Sequence, residues 1–227
     1  MITVDLERET IRSLNSRLHQ LQADTNERLW RIVNPKGAHA IAAGLTVPVE
    51  IAIDGHVGYY CGGMNQAATI IVNGHAGTGL GENMMSGMIR VTGNASQSAG
   101  ASGRGGMLVI EGDASARCGI SMKGIDIVVG GSIGHMSCFM GQAGSLVVCG
   151  DADHDLGDSL YEAEIFVAGK VASLGADCIE KAMAPAHVAH VAALLERAQI
   201  AADAAHFRRY GSARKLYNFH IDHAGQY

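Results

Sequence analysis

The chain has 227 residues, thirty of them glycine and only three proline, and a formal net charge of −5. That length suits one sizeable domain with short extensions, and the negative charge argues against a general nucleic-acid binder, which carries a basic face. Five cysteines without a CxxC spacing disfavour a zinc site, an iron–sulfur site or a disulfide framework.

Taken from the N-terminus, the first eight residues are charged and lack the apolar core of a signal peptide, and no apolar run approaches the roughly eighteen residues of a membrane span. The expected location is therefore the cytoplasm. Ile11, Leu14, Leu18 and Leu21 recur at three- and four-residue steps, which predicts a helix within residues 5–29. Asn34-Pro35-Lys36-Gly37 is a turn signal, so residues 1–37 read as a helical N-terminal extension.

The next stretch, 38–180, is dominated by one periodicity. Gly55, Gly74, Gly93, Gly112, Gly131, Gly150 and Gly169 lie nineteen residues apart. Four residues before each stands Ile51, Ile70, Ile89, Leu108, Ile127, Leu146 or Ile165, and two before stands Ile53, Val72, Val91, Ile110, Val129, Val148 or Val167. Alternating aliphatics describe a short strand with one buried face, and the following glycine tolerates the φ > 0 of a tight bend. A unit this short cannot bury itself, so successive units stack at about 4.8 Å, giving seven rungs in a rod of roughly 34 Å. The fold expected is an all-β core, a parallel β-helix. A left-handed hexapeptide helix would need an apolar residue eight positions after each glycine. Glu82, Asp158 and Asp177 occupy that column, and burying carboxylates there costs too much. A right-handed coil with one long strand and looser corners is the better reading.

Residues 181–227 read as a C-terminal extension. A helix is expected over 185–206, with Pro185 in its first turn and Val188, Val191, Leu194 and Leu195 on one face. The tail beyond it is basic and aromatic: Phe207, Arg208, Arg209, Tyr210, Tyr217 and Phe219 have the composition of an interface anchor. The same residues would serve equally to pack the tail back along the coil.

Several local patterns suggest chemistry. Asp151-Ala-Asp153-His154-Asp155-Leu156-Gly157-Asp158, with Glu162, mimics a calcium loop, but Leu156 stands where such a loop needs glycine. His56 with His75, and His135 with His154, occupy matching positions of adjacent rungs, close enough to share a ligand or to be polar corner ladders. The glycines from Gly74 to Gly81 resemble a phosphate loop without the helix that should follow it. His187/His190 and His220/His223 have helix-face spacing and no third ligand, and read as surface residues. No catalytic, cofactor-binding or metal-binding set stands out from the repeat.

One rung carries a family resemblance. Gly93-Asn-Ala-Ser-Gln97-Ser98-Ala-Gly100-Ala101 resembles the G-x-A-G-Q-S-F-G-A stretch of the GXGXG domain that closes the glutamate synthase large subunit, with Ser96 and Ala99 as departures. Gly112-Asp-Ala-Ser-Ala-Arg117-Cys-Gly119 and Met140-Gly-Gln-Ala-Gly144 resemble later turns of that domain, and the resemblance covers roughly residues 32–180. As a chain standing alone, it is similar to the GlxC-type proteins, which include a subunit of N-methylglutamate synthase. The resemblance implies a right-handed β-helix and a non-catalytic subunit without a cofactor of its own. It further implies a class II glutamine amidotransferase-like partner and a glutamate synthase-like partner that binds FMN, alone or with iron–sulfur clusters. A related coil occurs in the C subunit of formylmethanofuran dehydrogenase. A β-helical enzyme acting on a sugar or acyl group is the remaining alternative, and the acidic column weakens it.

Overall fold

A computed structural model describes residues 1–214. Its backbone is a parallel β solenoid flanked by two helices. β3 (Glu50–Asp54), β4 (Thr69–Asn73), β5 (Met88–Val91), β6 (Met107–Ile110), β7 (Lys123–Val129), β8 (Ala143–Val148) and β9 (Glu164–Val167) stack in parallel, one per rung. Ile51 pairs with Ile70, Ile70 with Ile89 and Ile89 with Leu108, so the nineteen-residue period is the register of the sheet. All fourteen aliphatics four and two positions before the ladder glycines are fully buried. A second, shorter ladder two positions after the glycine links Val57, Ala76, Ala95, Ala114, Ile133, Ala152 and Val171.

The far corner of each rung from Gly55 to Gly150 is left-handed at alternate residues. In the rung of Gly93 these are Ser98, Gly100 and Ser102, with φ of 61°, 69° and 55°. This zigzag sends N–H groups both ways: Ala95, Ser98 and Ser102 donate to the following rung, and Ser96, Gly100 and Arg104 to the preceding one. Every corner residue is thereby bonded without a regular strand.

The ladder glycines have a different cause from the one expected. Of the seven, only Gly55 has positive φ. The others are required by closeness: a Cβ on Gly112 would stand 2.1 Å from Asn94 Oδ1 and 3.0 Å from the Gly93 carbonyl. Positive φ belongs instead to the glycines seven positions later, such as Gly100, whose Cβ would also meet Ile127 Cδ1 at 2.6 Å.

The N-terminal region departs from the expected long helix. Only α1 (Ile11–His19) is helical, and it lies between β1 (Ile2–Asp5) and β2 (Leu29–Val33), both of which join the sheet. Trp30 and Ile32 pair with Ile51 and Ile53, and Ala40, Ala42 and Gly44 repeat the left-handed corner at φ of 55°, 54° and 72°. Residues 29–49 are thus a further rung, hidden because Trp30 precedes Ile51 by twenty-one residues. α1 closes this end. Thr10 caps it by accepting from the Ser13 N–H, and Leu14 and Leu18 are buried in the coil core, worth about 1.5–3 kcal/mol each. Asn15 donates to the Ala40 carbonyl at 2.8 Å and accepts from the Ala42 N–H at 3.0 Å, standing in for a missing rung.

At the other end α2 (Pro185–Ala198) lies on the outer face of the sheet. Val191, Leu194, Leu195 and Ala198, with Ala204 and Phe207, pack on Met107, Val109, Val128, Val147 and Phe166. The later strands are therefore buried on both faces. β11 (Arg208–Ser212) then runs antiparallel beside β9, and β10 (Cys178–Lys181) pairs with β11 as the edge of the eleven-stranded sheet.

Candidate functional site: the signature rung, its corners and the α2 seam

The resemblance-bearing residues act through their backbone. Ser98 N–H donates to Ala116 O at 3.0 Å, Gly100 N–H to Leu80 O at 2.8 Å, Arg117 N–H to His135 O at 2.9 Å and Gly119 N–H to Ala99 O at 2.8 Å. Gly93 and Gly112 admit the neighbouring rung, and Gln97 O accepts from Gly79 N–H at 2.9 Å. Only the side chains of Gln97 and Arg117 reach the open surface. The stretch builds a coil and presents two polar groups.

The position after each ladder glycine forms a continuous column of acceptors. His56 Nδ1 accepts from His75 N–H at 3.0 Å, and His75 Nδ1 from Asn94 N–H at 2.8 Å. Asn94 accepts from Asp113 N–H, Asp113 from Ser132 N–H, Ser132 from Asp151 N–H and Asp151 from Lys170 N–H, at 2.7–3.0 Å. The column is polar because each side chain must accept a backbone proton from the next rung. This decides the stacked pair His56/His75, whose ring centroids are 4.9 Å apart. With Nδ1 accepting, the ring hydrogen sits on Nε2, so neither ring keeps a lone pair for a metal. At the second pair, His154 Nδ1 lies 3.3 Å from Ser173 Oγ, and His135 is exposed.

The calcium-like run is dispersed in the same way. Asp151 serves the column, Asp155 N–H donates to Ser173 Oγ at 3.0 Å, and Asp158 accepts from Ser159 Oγ at 2.7 Å and from Ala176 N–H at 3.3 Å. Leu156 is in the core. Among the described residues no group of three or more His, Cys, Asp or Glu is arranged to hold a metal ion. The phosphate-loop resemblance dissolves as well, since the N–H groups of Gly77, Gly79 and Gly81 are bonded to Val57, Gln97 and Cys61 of the flanking rungs.

Cys61 and Cys118 are fully buried, and burial pushes both thiols up to about 12. They stay protonated and act as small apolar filler. Among the described residues no helix is long and apolar enough to cross a membrane.

The structure assembles one polar cluster that sequence spacing concealed. Asp126, Ser145 and Glu164 stack in one outward column beneath α2. Ser145 Oγ lies 2.8 Å from His190 Nε2, Asp126 lies 3.8 Å from Arg197, and Glu164 meets Arg209 at 2.7 Å and His187 at 3.8 Å. Burial raises the Asp126 carboxyl above its ordinary range, offset in part by His190 and Arg197. Serine, histidine and aspartate are together, yet the carboxylate bonds the serine rather than orienting the imidazole from its far side. Ser145 is also covered by α2, so the geometry is that of a fastening and not of a nucleophile. His187, expected on the surface, is half-buried, and His190 is exposed as expected while its Nε2 meets Ser145.

The tail divides. Phe207 and Tyr210 are 3% and 2% exposed, which corrects the expectation of an exposed anchor at these two positions: one packs under α2 and the other in the coil core. Arg208 donates to the Gly169 carbonyl at 2.7 Å, and Arg209 pairs with Glu164. Tyr217 and Phe219 lie outside the described residues.

No protein-family model matches the chain, and no solved structure matches it. A curated relative does: Protein GlxC of Rhizobium meliloti (strain 1021) is 57% identical over 228 residues, spanning 100% of both chains. A likeness of that extent, running through rungs, helices and tail alike, makes this chain a member of the GlxC family.

Proposed function

We propose that this chain is a non-catalytic structural subunit of a multi-subunit glutamate-synthase-type complex, with N-methylglutamate synthase as the leading candidate. In that assembly a right-handed coil bridges a class II amidotransferase-like chain and an FMN-binding synthase-like chain. The observation that carries the proposal is the full-length similarity to GlxC. The coil itself supports it: the residues that resemble the glutamate synthase domain are taken up by stacking. The right hand of the coil is part of this reading, carried by the resemblance and in keeping with the general preference of parallel crossovers.

The test is native co-purification of the full chain, followed by identification of associated proteins and flavin. The expected outcome is a complex with an amidotransferase-like chain and a flavin-containing synthase-like chain that converts methylamine and glutamate to N-methylglutamate. Recovery of the chain alone, or with molybdenum or tungsten in place of flavin, would overturn the proposal. Turnover of a sugar or acyl substrate by the isolated chain would do so as well.

A further inference from the structure

Three inter-rung hydrogen bonds near the N-terminal end differ from the others in the atom that accepts them. His39 Nδ1 accepts from the Tyr59 N–H at 3.1 Å, His56 Nδ1 from the His75 N–H at 3.0 Å, and His75 Nδ1 from the Asn94 N–H at 2.8 Å. Farther along the column, Asn94, Asp113, Ser132 and Asp151 accept through oxygen. An oxygen acceptor keeps a lone pair whether or not its group is protonated. An imidazole accepts only at its bare nitrogen, so a second proton turns acceptor into donor and sets N–H against N–H. His56 is also stacked on His75 at 4.9 Å, so a doubly protonated pair there would add repulsion between like charges.

We propose that the first three rungs form an acid-responsive segment, in which protonation of His39, His56 and His75 unfastens this end of the coil while the later rungs stay closed. The proposal is independent of the proposed function. Imidazoles as a class take up their second proton near pH 6.5, within a physiological range. A ring that carries both protons can no longer accept from the next rung's N–H, so acid removes these fastenings bond by bond. Solenoids of stacked units open locally, which confines the loss to the rungs concerned.

The titratable neighbours are few. On the preceding rung Lys36 is tied to Glu7, and beside His56 the Asp54 carboxyl is held below its ordinary range by Asn73 and Arg31. Tyr59 covers His39, and Asp113 follows beyond Asn94. None of these removes the demand of the backbone N–H for an acceptor. His19 supplies an internal contrast: it meets the Ala43 carbonyl through Nε2, a donor role that survives protonation.

The protein's single tryptophan, Trp30, is buried in the first rung and reports on this segment. The experiment follows Trp30 fluorescence and far-ultraviolet dichroism of the full chain from pH 8 to 5, alongside the triple variant His39→Asn, His56→Asn, His75→Asn. Asparagine is the residue that performs the same task at position 94. Wild type is expected to lose the Trp30 signal ahead of the dichroism, the opening constant rising about two- to fivefold for each proton-blocked bond, because these bonds lie at the surface. The triple variant should hold both signals flat. If the triple variant misfolds, His75→Asn alone should remove one such step, about two- to fivefold. Superimposed Trp30 and dichroism profiles in wild type, or an asparagine variant that keeps the wild-type pH dependence, would overturn the proposal.

Discussion

Gly112→Ala is expected to be among the most damaging single-methyl additions to the coil, and the cost can be apportioned. The new Cβ would stand 2.1 Å from Asn94 Oδ1, so the asparagine must swing away and lose its bond to the Asp113 N–H at 3.0 Å. That bond lies at the surface, where water replaces it, so its loss costs about 0.5–1 kcal/mol. The same Cβ would lie 3.0 Å from the Gly93 carbonyl carbon and oxygen, and a backbone gap set by inter-rung bonds opens only with strain of about 1–3 kcal/mol. The sum is about 1.5–4 kcal/mol, a large part of the 5–15 kcal/mol typical of a domain. Urea unfolding should show a lower midpoint at unchanged slope. In a double-variant cycle, Asn94→Ala alone should cost about 0.5–1 kcal/mol and add nothing further in the Gly112→Ala background, because the bond is already lost. A Gly112→Ala loss under about 0.5 kcal/mol, or strictly additive costs, would refute the close-approach account.

Gly100→Ala combines a left-handed φ of 69° with a Cβ 2.6 Å from Ile127 Cδ1 and should cost about 2–5 kcal/mol, whereas Ser98→Gly, at φ 61° in the same corner, should be neutral or stabilising by under about 1 kcal/mol in the same urea assay. Phe207→Ala should cost about 3–5 kcal/mol and speed hydrogen exchange across residues 185–198, because the ring is 3% exposed beneath α2. For Asp126 the folded-state carboxyl is raised above its ordinary 3.8, so the folded protein binds that proton more tightly than the unfolded chain, and stability contributed below 3.8 is lost as pH rises through the raised value. Asp126→Asn should therefore raise the thermal midpoint at pH 7 relative to wild type and bring little gain at pH 3; an equal shift at both values would contradict the burial cause. Cys61 and Cys118, with thiols pushed up to about 12, should resist thiol reagents at pH 8 until denaturant is added, and labelling of either in the folded protein would show that the core opens.

Those positions also show what could be read before any coordinates. The columns at Ile51, Ile53 and Val57 and their repeats were legible because stacking demands the same residue type at the same place in every rung. The rung of residues 29–49 escaped because its two extra residues broke the period, although Trp30 and Ile32 alternate like the rest. The cover supplied by α2 corresponds to the unbroken apolar run Val109, Val128, Val147 and Phe166 at the outward position, which follows Arg90 in the same column. Nothing local marked Ser145 and His190 as partners, since their contact depends on how a helix forty-five residues downstream lands on the sheet. The polar column was visible as a pattern, but its acceptor role emerges only when the next rung's N–H is in place.

The two-way donation within each rung has an electrostatic consequence. An α-helix aligns its peptide dipoles and carries opposite partial charges at its two ends. Here Ala95, Ser98 and Ser102 point their N–H groups along the axis one way and Ser96, Gly100 and Arg104 point theirs the other, so neighbouring dipoles largely cancel. The rod has no intrinsic electrical head or tail. Its axial field comes from side chains, and these are unevenly placed: the column begins with His56, His75 and Asn94, while Asp151, Asp153, Asp155 and Asp158 gather near the far end. What a molecule approaching this coil meets is set by those side chains and not by the backbone.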